Sequence, residues 1–334
     1  MNEPLHSAHD TPTGGYFELA LPDHGEPFPP TYLGFQSGRA ALRALLESSP
    51  FGRVLVPAYT CDSVVRAVED AGRKVALYPL DDGLSPRLDV AVAADTALLY
   101  INYFGLCDHV VSRLASQLPS QLIVDDTQAL LASPTSALGT IYSPRKFAGL
   151  PDGGLLVANG LTVPVPAEED DGSLQRMQPL LIRLAGSALE GYAAYVAANR
   201  TLEDTRPLRM SRLTRRLLRS MDPQDMRRRR RANFARLAAA FDAVNTRRWA
   251  LGTDCVPLCY PLVLRRDVRD VRRRLAELDI FVPTYWEDAR PRLHDDTPEK
   301  AMLDHCLALP CDQRYDAGQM DHLIRYVSTI LDGN

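Results

Sequence analysis

The chain has 334 residues, of which 46% are hydrophobic and 24% charged, and its formal net charge is −4. These values are ordinary for a folded globular protein, and the charge gives no overall field that would favour nucleic acid or an anionic membrane. No apolar run approaches the roughly 20 residues that a membrane-spanning helix needs. Residues 1–15 are polar and predict a flexible lead without a hydrophobic signal region.

The six cysteines follow no common zinc spacing, and in a chain of this length they do not indicate a disulfide framework. Cys255 and Cys259 lie in an apolar stretch, where buried free thiols are expected. We therefore expect no metal site and a reducing, cytoplasmic location.

Taken in chain order, the first half alternates helical and strand patterns. Apolar spacing predicts helices at 38–48, 61–71 and 110–117, and strands at 53–57, 74–78, 96–103 and 121–125. Two further strands, 154–158 and 162–165, are predicted to form a hairpin around Asn159-Gly160. Strands separated by helices indicate crossover connections, so we expect a mostly parallel sheet whose ligand site lies at the carboxyl ends of its strands.

The second half of the chain differs in composition and in predicted secondary structure. Residues 173–244 are rich in Arg and predict mainly helix, and the rest predicts a strand at 255–264, a helix at 267–278, a strand at 281–285 and a helix at 316–331. The predicted organisation is a lead (1–15), a large α/β domain (16–245) that includes a helical bridge (173–245), and a small C-terminal α/β domain (246–334).

Two early loops could bind an anion. Residues 35–41, FQSGRAA, place Ser37, Gly38 and the amide of Arg39 at a helix N-terminus, where free N–H groups would hold a phosphate. Residues 57–63, PAYTCDS, offer the Thr60 hydroxyl and the Tyr59 ring. An ordinary helix cap explains each loop equally well from the sequence alone.

A third loop, IVDDTQ at 123–128, ends an apolar strand with carboxylates. Asp125 would point into the ligand region of an α/β sheet. Neighbouring strand residues face opposite sides, so we expect one of the two aspartates to be functional or capping and the other to be solvated. Gln128 would join Asp125 if the chain has turned helical.

The fourth loop, IYSPRKFAGLPDGG at 141–154, contains one of only three lysines among 38 basic residues. A chain that otherwise uses Arg places Lys146 beside Arg145 and ahead of a glycine-rich run. Lysine can form a Schiff base with an aldehyde, and arginine cannot. A surface lysine in a loop is the alternative.

In this order the four loops resemble those of the DegT/StrS-type aminotransferases, fold-type-I enzymes that use pyridoxal phosphate (PLP) and mostly aminate nucleotide-linked keto-sugars. SGRAAL is similar to the family's SGTAAL, PAYTCDSV to P-x-[FY]-T-[FW], VDDTQA to EDAAQA, and Lys146 with PDGG to the Schiff-base Lys with GEGG. LRMSRL at 208–213 and LALPCDQ at 307–313 resemble two later segments of the family. The resemblance runs from about residue 32 to the C-terminus.

The resemblance implies a large, mostly parallel (mixed) sheet of the seven-stranded type plus a small C-terminal α/β domain. It implies PLP as cofactor, Lys146 as its covalent anchor and proton carrier, Asp125 on the pyridine nitrogen and Gln128 near the phenolic oxygen. Residues expected to complete the cofactor site are Ser37, Gly38, Arg39, Thr60, Ser143 and Arg145. The implied reaction moves an amino group from glutamate to a nucleotide-linked keto-sugar, in a homodimer that shares its active sites.

Three positions depart from the family pattern. Ile141 stands where the family has a phosphate-binding Ser, Pro207 where it has an Asn that reaches the neighbouring subunit's phosphate, and Cys61 where it often has an aromatic residue. Two alternatives therefore stay open: an aminotransferase for a non-sugar keto compound, and a degenerate PLP fold with a binding or regulatory role. The five arginines 227–231 predict a solvated or interface face rather than a nucleic-acid site.

Overall fold

The computed structural model describes residues 14–88 and 91–333. The expected flexible lead at 1–15 falls, apart from Gly14 and Gly15, outside the described residues. Over these two described ranges, nine strands form one large and one small sheet: β1 Leu33–Phe35, β2 Arg53–Pro57, β3 Lys74–Tyr78, β4 Thr96–Ile101, β5 Leu122–Asp125, β6 Gly139–Tyr142, β7 Gly154–Ala158, β8 Cys259–Val263 and β9 Cys306–Pro310.

The large sheet has seven strands in the order β1-β7-β6-β5-β4-β2-β3. β7 pairs antiparallel with both β1 and β6, and all other neighbours are parallel, so six strands run one way and β7 runs the other. The central strands β4 and β5 are buried along their whole length, which is typical of strands covered on both faces. The expectation of a mostly parallel, mixed seven-stranded sheet is confirmed.

Eleven α-helices occur in the described part of the chain. They are α1 Gly38–Glu47, α2 Asp62–Asp70, α3 Asp108–Gln117, α4 Ser173–Arg176, α5 Gln178–Ala185, α6 Tyr192–Arg200, α7 Arg212–Leu218, α8 Pro223–Phe241, α9 Arg269–Ala276, α10 Pro298–His305 and α11 Ala317–Asp332. The predicted helical bridge is thus five helices, α4 to α8, interrupted by a non-helical link at 203–210. That link is fixed to β1, because the Met210 N–H donates to the Gly34 carbonyl over 3.0 Å.

Two predicted strands are wrong. Residues 162–165 form no strand, and there is no hairpin at Asn159-Gly160, because both edges of β7 are already taken by β1 and β6. Residues 281–285 also form no strand. That segment contains Pro283, which cannot donate to a ladder, and it packs Val282 into the core without pairing.

The small sheet pairs β8 antiparallel with β9. α8, α9 and α11 pack near it, and α8 continues from the helices next to the large sheet.

In the large sheet, β2, β5 and β6 run in the same direction, so their carboxyl ends open toward one region. The predicted loops 57–63, 123–128 and 141–154 begin there. Within the described residues, no helix is both long and apolar enough to cross a bilayer.

Candidate active site

Lys146 ends a short 3-10 turn, Pro144–Lys146, that directly follows β6. The turn is closed by the Phe147 N–H, which donates to the Pro144 carbonyl over 2.9 Å. Pro144 is buried, whereas Lys146 is exposed, and the Lys146 Nζ donates to the Thr127 Oγ1 over 2.8 Å. The amine is therefore held at the end of β5, on a residue that keeps an exposed surface.

The surroundings lower the pKa of the Lys146 amine. Packing of protein around the amine is the main cause, and the guanidiniums of Arg145 and Arg39 add to it. Asp125 and the Cys61 thiol act in the opposite direction and raise the pKa. The lysine side chain keeps an exposed surface. The amine is thus poorly hydrated, although the side chain that carries it is not sealed in the core.

Asp125 is the last residue of β5 and is buried. It stands in register with Ile141 of β6, so the two side chains project from the same face of the sheet. Its Oδ1 accepts the Thr127 N–H over 2.9 Å. Asp125, Thr127 and Lys146 are thereby linked in one short chain of hydrogen bonds. Thr127 was not predicted, because its contact with Lys146 depends on how β5 and β6 pair.

The expectation that one of the two aspartates is solvated is wrong, since Asp126 is only 2% exposed. Asp126 follows the strand, where alternation no longer applies, and its Oδ1 accepts from the Asn102 Nδ2 over 3.0 Å. Burial is the main reason that the pKa of Asp126 lies well above its usual value, and Asp108 and Asp125 raise it further. Asp126 therefore serves as an internal hydrogen-bonding group.

Gln128 and Thr60 each carry a buried polar atom that lacks a partner. The Gln128 Oε1 accepts the Phe104 N–H over 2.7 Å, but its Nε2 has no acceptor among the described residues. The Thr60 Oγ1 is likewise buried without a hydrogen bond to any residue in that part of the chain. Thr60 does not cap α2, whose N-cap is Cys61 with no side-chain hydrogen bond. The ordinary explanation of Thr60 as a helix cap therefore does not hold.

The loop Ser37-Gly38 opens α1 as the sequence predicted. The Ser37 Oγ accepts the Ala40 N–H over 3.2 Å, so Ser37 is an N-cap. The loop lies directly on Gly154, where an added Cβ would be 2.2 Å from the Ser37 carbonyl carbon. A Cβ at Gly38 would be 3.4 Å from the Thr127 Cγ2. The glycines thus allow the N-terminus of α1 to approach Thr127, the residue that holds the Lys146 amine.

Arg39 and Arg145 bring two guanidiniums to this region, and each is anchored by a neutral group near the C-terminal end of α6. The Arg39 Nη1 donates to the Leu202 carbonyl over 2.7 Å, and the Arg145 Nη1 donates to the Asn199 Oδ1 over 2.7 Å. Burial lowers the pKa of Arg145, and the nearby Arg39 lowers it further. Neither arginine makes a salt bridge with a described residue, so their charge is available to an anion.

One departure from the family pattern, Ile141, has a clear structural counterpart. The Ile141 Cγ2 lies 3.7 Å from where a Gly38 Cβ would be, so a methyl group occupies the position expected for a hydroxyl. Ser143 is buried at the start of the Lys146 turn. The Tyr59 ring is not offered to a ligand: it stacks on Tyr103 with ring centroids 5.8 Å apart and is 1% exposed.

A buried ionic network behind the site was also missed from the sequence. Asp152 of the PDGG run accepts from the Arg176 Nε over 3.0 Å and from the Ser173 Oγ over 2.6 Å, and Thr214 donates to its other oxygen. Asp170 completes the network through a second ion pair with Arg176. The glycine-rich run is thereby fixed to α4 and α7. In the described part of the chain, no group of His, Cys, Asp or Glu side chains is placed to hold a metal ion.

The comparisons with known proteins bear on the fold alone. No protein-family model matches the chain, and no curated protein matches it in sequence. Among solved structures, the sugar aminotransferase CalS13 from Micromonospora echinospora is 16% identical, with a TM-score of 0.59 over 90% of this chain and 87% of that one. A DegT DnrJ EryC1 StrS aminotransferase from Brucella abortus is 15% identical, with a TM-score of 0.56 over 89% and 85%.

The Spr1654 protein from Streptococcus pneumoniae in its PMP form is 16% identical, with a TM-score of 0.63 over 90% of this chain and 86% of that one. The chain has the fold of these aminotransferases. The fold-type-I architecture expected from the short motifs is confirmed, and it extends over most of the chain. In that aminotransferase fold, Lys146, Asp125, Gln128 and the Ser37-Gly38 loop lie at the carboxyl side of the large sheet.

Proposed function

We propose that this chain is a PLP-dependent aminotransferase of the DegT/StrS type that moves an amino group from glutamate to a nucleotide-linked keto-sugar. The observation that carries the proposal is the chain of hydrogen bonds from Asp125 through Thr127 to the Lys146 amine. It places one carboxylate and one poorly hydrated amine beside each other at a helix N-terminus. PLP needs these groups for its ring nitrogen, its aldehyde and its phosphate.

The residues present fit this cofactor. A buried hydroxyl or amide without a partner costs about 1–3 kcal/mol, and Thr60 Oγ1 and Gln128 Nε2 are both such atoms. Both are donors, and both belong to the residues expected to face the cofactor. A phosphate oxygen and a phenolic oxygen would give them the acceptors that they lack.

The cofactor's phosphate would be held by Ser37, Gly38 and Thr60, with charge supplied by Arg39 and Arg145. Two guanidiniums anchored on neutral acceptors match the charge of a phosphate dianion. We propose that this pair replaces the hydroxyl that Ile141 lacks. Ser143, buried beside the Lys146 turn, would complete this phosphate-binding site.

When bound, PLP acts as an electron sink that lets an amine and a carbonyl compound exchange their amino group. The Lys146 amine would hold the cofactor covalently through its aldehyde and would carry the proton that moves during amino transfer. Its lowered pKa favours the neutral amine that such a base must be. Asp125 would keep the ring nitrogen protonated, and Gln128 would orient the ring through its phenolic oxygen.

The fold neighbours that act on sugars support a sugar acceptor, and glutamate is proposed as donor from the resemblance alone. The Ile141 methyl group, 3.7 Å from where a Gly38 Cβ would be, is the observation that favours the second candidate, a PLP-fold protein without catalysis. The two cases differ in one respect. Only the enzyme exchanges nitrogen with an amino donor.

We also propose that the chain forms a homodimer. The hairpin of α5 and α6 supports this, because it exposes a patch of large apolar side chains: Leu181, Leu184, Leu189, Tyr192 and Tyr195. α6 has no buried residue at all, so the patch needs a permanent cover. The domain limits 16–245 and 246–334 and a cytoplasmic location remain proposals. The six free cysteines support a reducing compartment.

The proposal is tested by nitrogen transfer. The protein loaded with PLP is incubated with ¹⁵N-glutamate and with panels of nucleotide-linked keto-sugars and of simple keto acids, and the products are analysed by mass spectrometry. We expect ¹⁵N in a sugar nucleotide and none in the protein-free control. Label in a keto acid only would support the non-sugar alternative, and bound PLP with no label in any product would support a binding role.

A further inference from the structure

Arg230 is the one member of the five-arginine run that is inside the protein. It is 1% exposed, whereas Arg228, two residues away on α8, has a 71% exposed side chain. The expectation of a solvated or interface face is therefore wrong for Arg230. No described carboxylate makes a salt bridge with it, and burial lowers the pKa of its guanidinium. A buried charge without a salt-bridge partner is costly, so a neutral side chain would pack here at lower cost.

The guanidinium instead joins three separate segments. Its Nε donates to the Gln313 Oε1 over 2.8 Å, and its Nη1 donates to the carbonyls of Pro257 and Leu258 over 3.0 and 3.1 Å. Its Nη2 reaches the Phe147 carbonyl over 3.4 Å. The guanidinium carbon also lies 4.3 Å from the centre of the Phe147 ring.

Phe147 is the residue after Lys146, and Gln313 also binds its carbonyl. The Gln313 Nε2 donates to the Phe147 carbonyl over 2.6 Å while its Oε1 accepts from Arg230. The Lys146 turn is thus held at Phe147, by two donors to its carbonyl and by a cation–π contact with its ring. Neither donor belongs to the large sheet, since Gln313 follows β9 and Arg230 lies on α8.

The third segment, at Pro257 and Leu258, connects Arg230 with Gln128 on the opposite side of the site. Leu258, whose carbonyl binds Arg230, donates its own N–H to the Phe104 carbonyl over 2.8 Å. The Phe104 N–H in turn donates to the Gln128 Oε1 over 2.7 Å. Phe104 has a φ of 59°, which is unusual for a residue with a side chain and marks a backbone held by its surroundings. One guanidinium therefore braces both Lys146 and Gln128.

We propose that Arg230, acting with Gln313, is a positioning residue that holds the Lys146 amine and Gln128 at their places around the cofactor. The inference rests on the proposed function for its purpose but not for its geometry. Arginine is needed because its planar fork reaches several acceptors in fixed directions, which lysine cannot do. The small sheet is thereby coupled to the reactive lysine.

Charge-conserving variants separate position from electrostatics. Arg230→Lys keeps the charge and loses the fork, and Gln313→Met keeps the length and loses both hydrogen bonds. Arg228→Lys is the matched control, because Arg228 is exposed and its ion pair is with Asp225 on its own helix. Gln313 is only partly buried, so its variant is expected to fold even if Arg230→Lys does not.

Two measurements are made on each folded variant. In the protein without PLP, competitive labelling at a series of pH values gives the titration midpoint of each lysine, with Lys74 as internal reference. With PLP added, stopped-flow absorbance gives the rate of covalent capture. We expect the Lys146 midpoint to rise in both variants, and the capture rate to fall about ten- to a hundredfold, as for a reacting group displaced by about 1 Å.

Wild-type midpoints and capture rates in Gln313→Met would overturn the proposal and leave Arg230 as a packing residue. The same result in a folded Arg230→Lys would overturn it independently. If wild type captures no PLP while the variants still move the Lys146 midpoint, the positioning role stands and the proposed function fails. A shift in Arg228→Lys as large as in Arg230→Lys would also contradict the proposal.

Discussion

The Lys146 Nζ donates a hydrogen bond to the Thr127 Oγ1 over 2.8 Å. Thr127 is itself held through its N–H by Asp125, and its methyl group lies over Gly38 at the start of α1. The amine is therefore tied to the residues expected at two different ends of the cofactor. The contact makes Thr127 the residue on which the position and charge of Lys146 most directly depend.

Thr127→Val should lower the pKa of Lys146. The hydroxyl accepts a hydrogen bond from the amine and favours its charged form, and a hydrogen bond to a charged group contributes about 1.5–3 kcal/mol. We expect the midpoint of Lys146 in competitive labelling to fall by about one pH unit or more. Thr140→Val is the control, because the Thr140 hydroxyl is buried without a partner. An unchanged midpoint in Thr127→Val would show that the contact does not influence the amine.

Arg145→Gln should weaken the binding of PLP but not that of pyridoxal, which lacks the phosphate. Loss of a charge-assisted hydrogen bond corresponds to about a ten- to hundredfold change in dissociation constant. The ratio of the two constants cancels any effect of the lost charge on Lys146, whose pKa should rise in this variant. Arg66→Gln, at an exposed pair with Glu203, is the control. Equal losses of affinity for PLP and pyridoxal would show that Arg145 does not bind the phosphate.

Asp152→Asn should destabilise the protein by about 3 kcal/mol or more, because it leaves Arg176 buried with only part of its counter-charge. The free energy of unfolding is measured by urea denaturation monitored by circular dichroism. Glu47→Gln breaks an exposed pair with Arg43 on α1 and should cost about 0.3–0.5 kcal/mol. A loss for Asp152→Asn no larger than that of the control would mean that the network adds little to stability.

Leu184→Glu should separate the proposed dimer without unfolding the protomer. The Leu184 side chain is 82% exposed, so a carboxylate is well solvated in the single chain but would be buried by a second copy. Light scattering should show a dimer for wild type and a monomer at micromolar concentration for the variant. Leu278→Glu, at an exposed position after α9, should leave the dimer intact. A monomeric wild type, or a dimer unaffected by Leu184→Glu, would contradict this surface.

The elements that could be predicted are those with strong local patterns. β2, β3 and β7 have the predicted limits, because each is a short apolar run bounded by turn residues. β1 and β6 were missed, since three or four residues that include glycine carry too little pattern. Residues 162–165 have strand-like residues but no free edge to pair with, which is a property of the sheet and not of the segment.

The residues of the candidate site also fall into those that could be predicted from local sequence and those that could not. Lys146, Asp125 and Gln128 stand out by residue type and position, so motif reasoning finds them. Thr127 and Arg230 act through contacts that only the fold creates, and the contact of Arg230 with Phe147 spans 83 residues of sequence. A run of five arginines gives no local sign that its fourth member is buried.

The visible spectrum of the protein with PLP tests the central claim most directly. Wild type and Lys74→Ala should show an absorption band that borohydride reduction fixes to the protein, and peptide mapping should place the adduct on Lys146. Lys146→Ala should show no such adduct. A wild type without the band, or a Lys146→Ala variant that keeps a reducible one, would contradict the assignment of Lys146 as the covalent anchor.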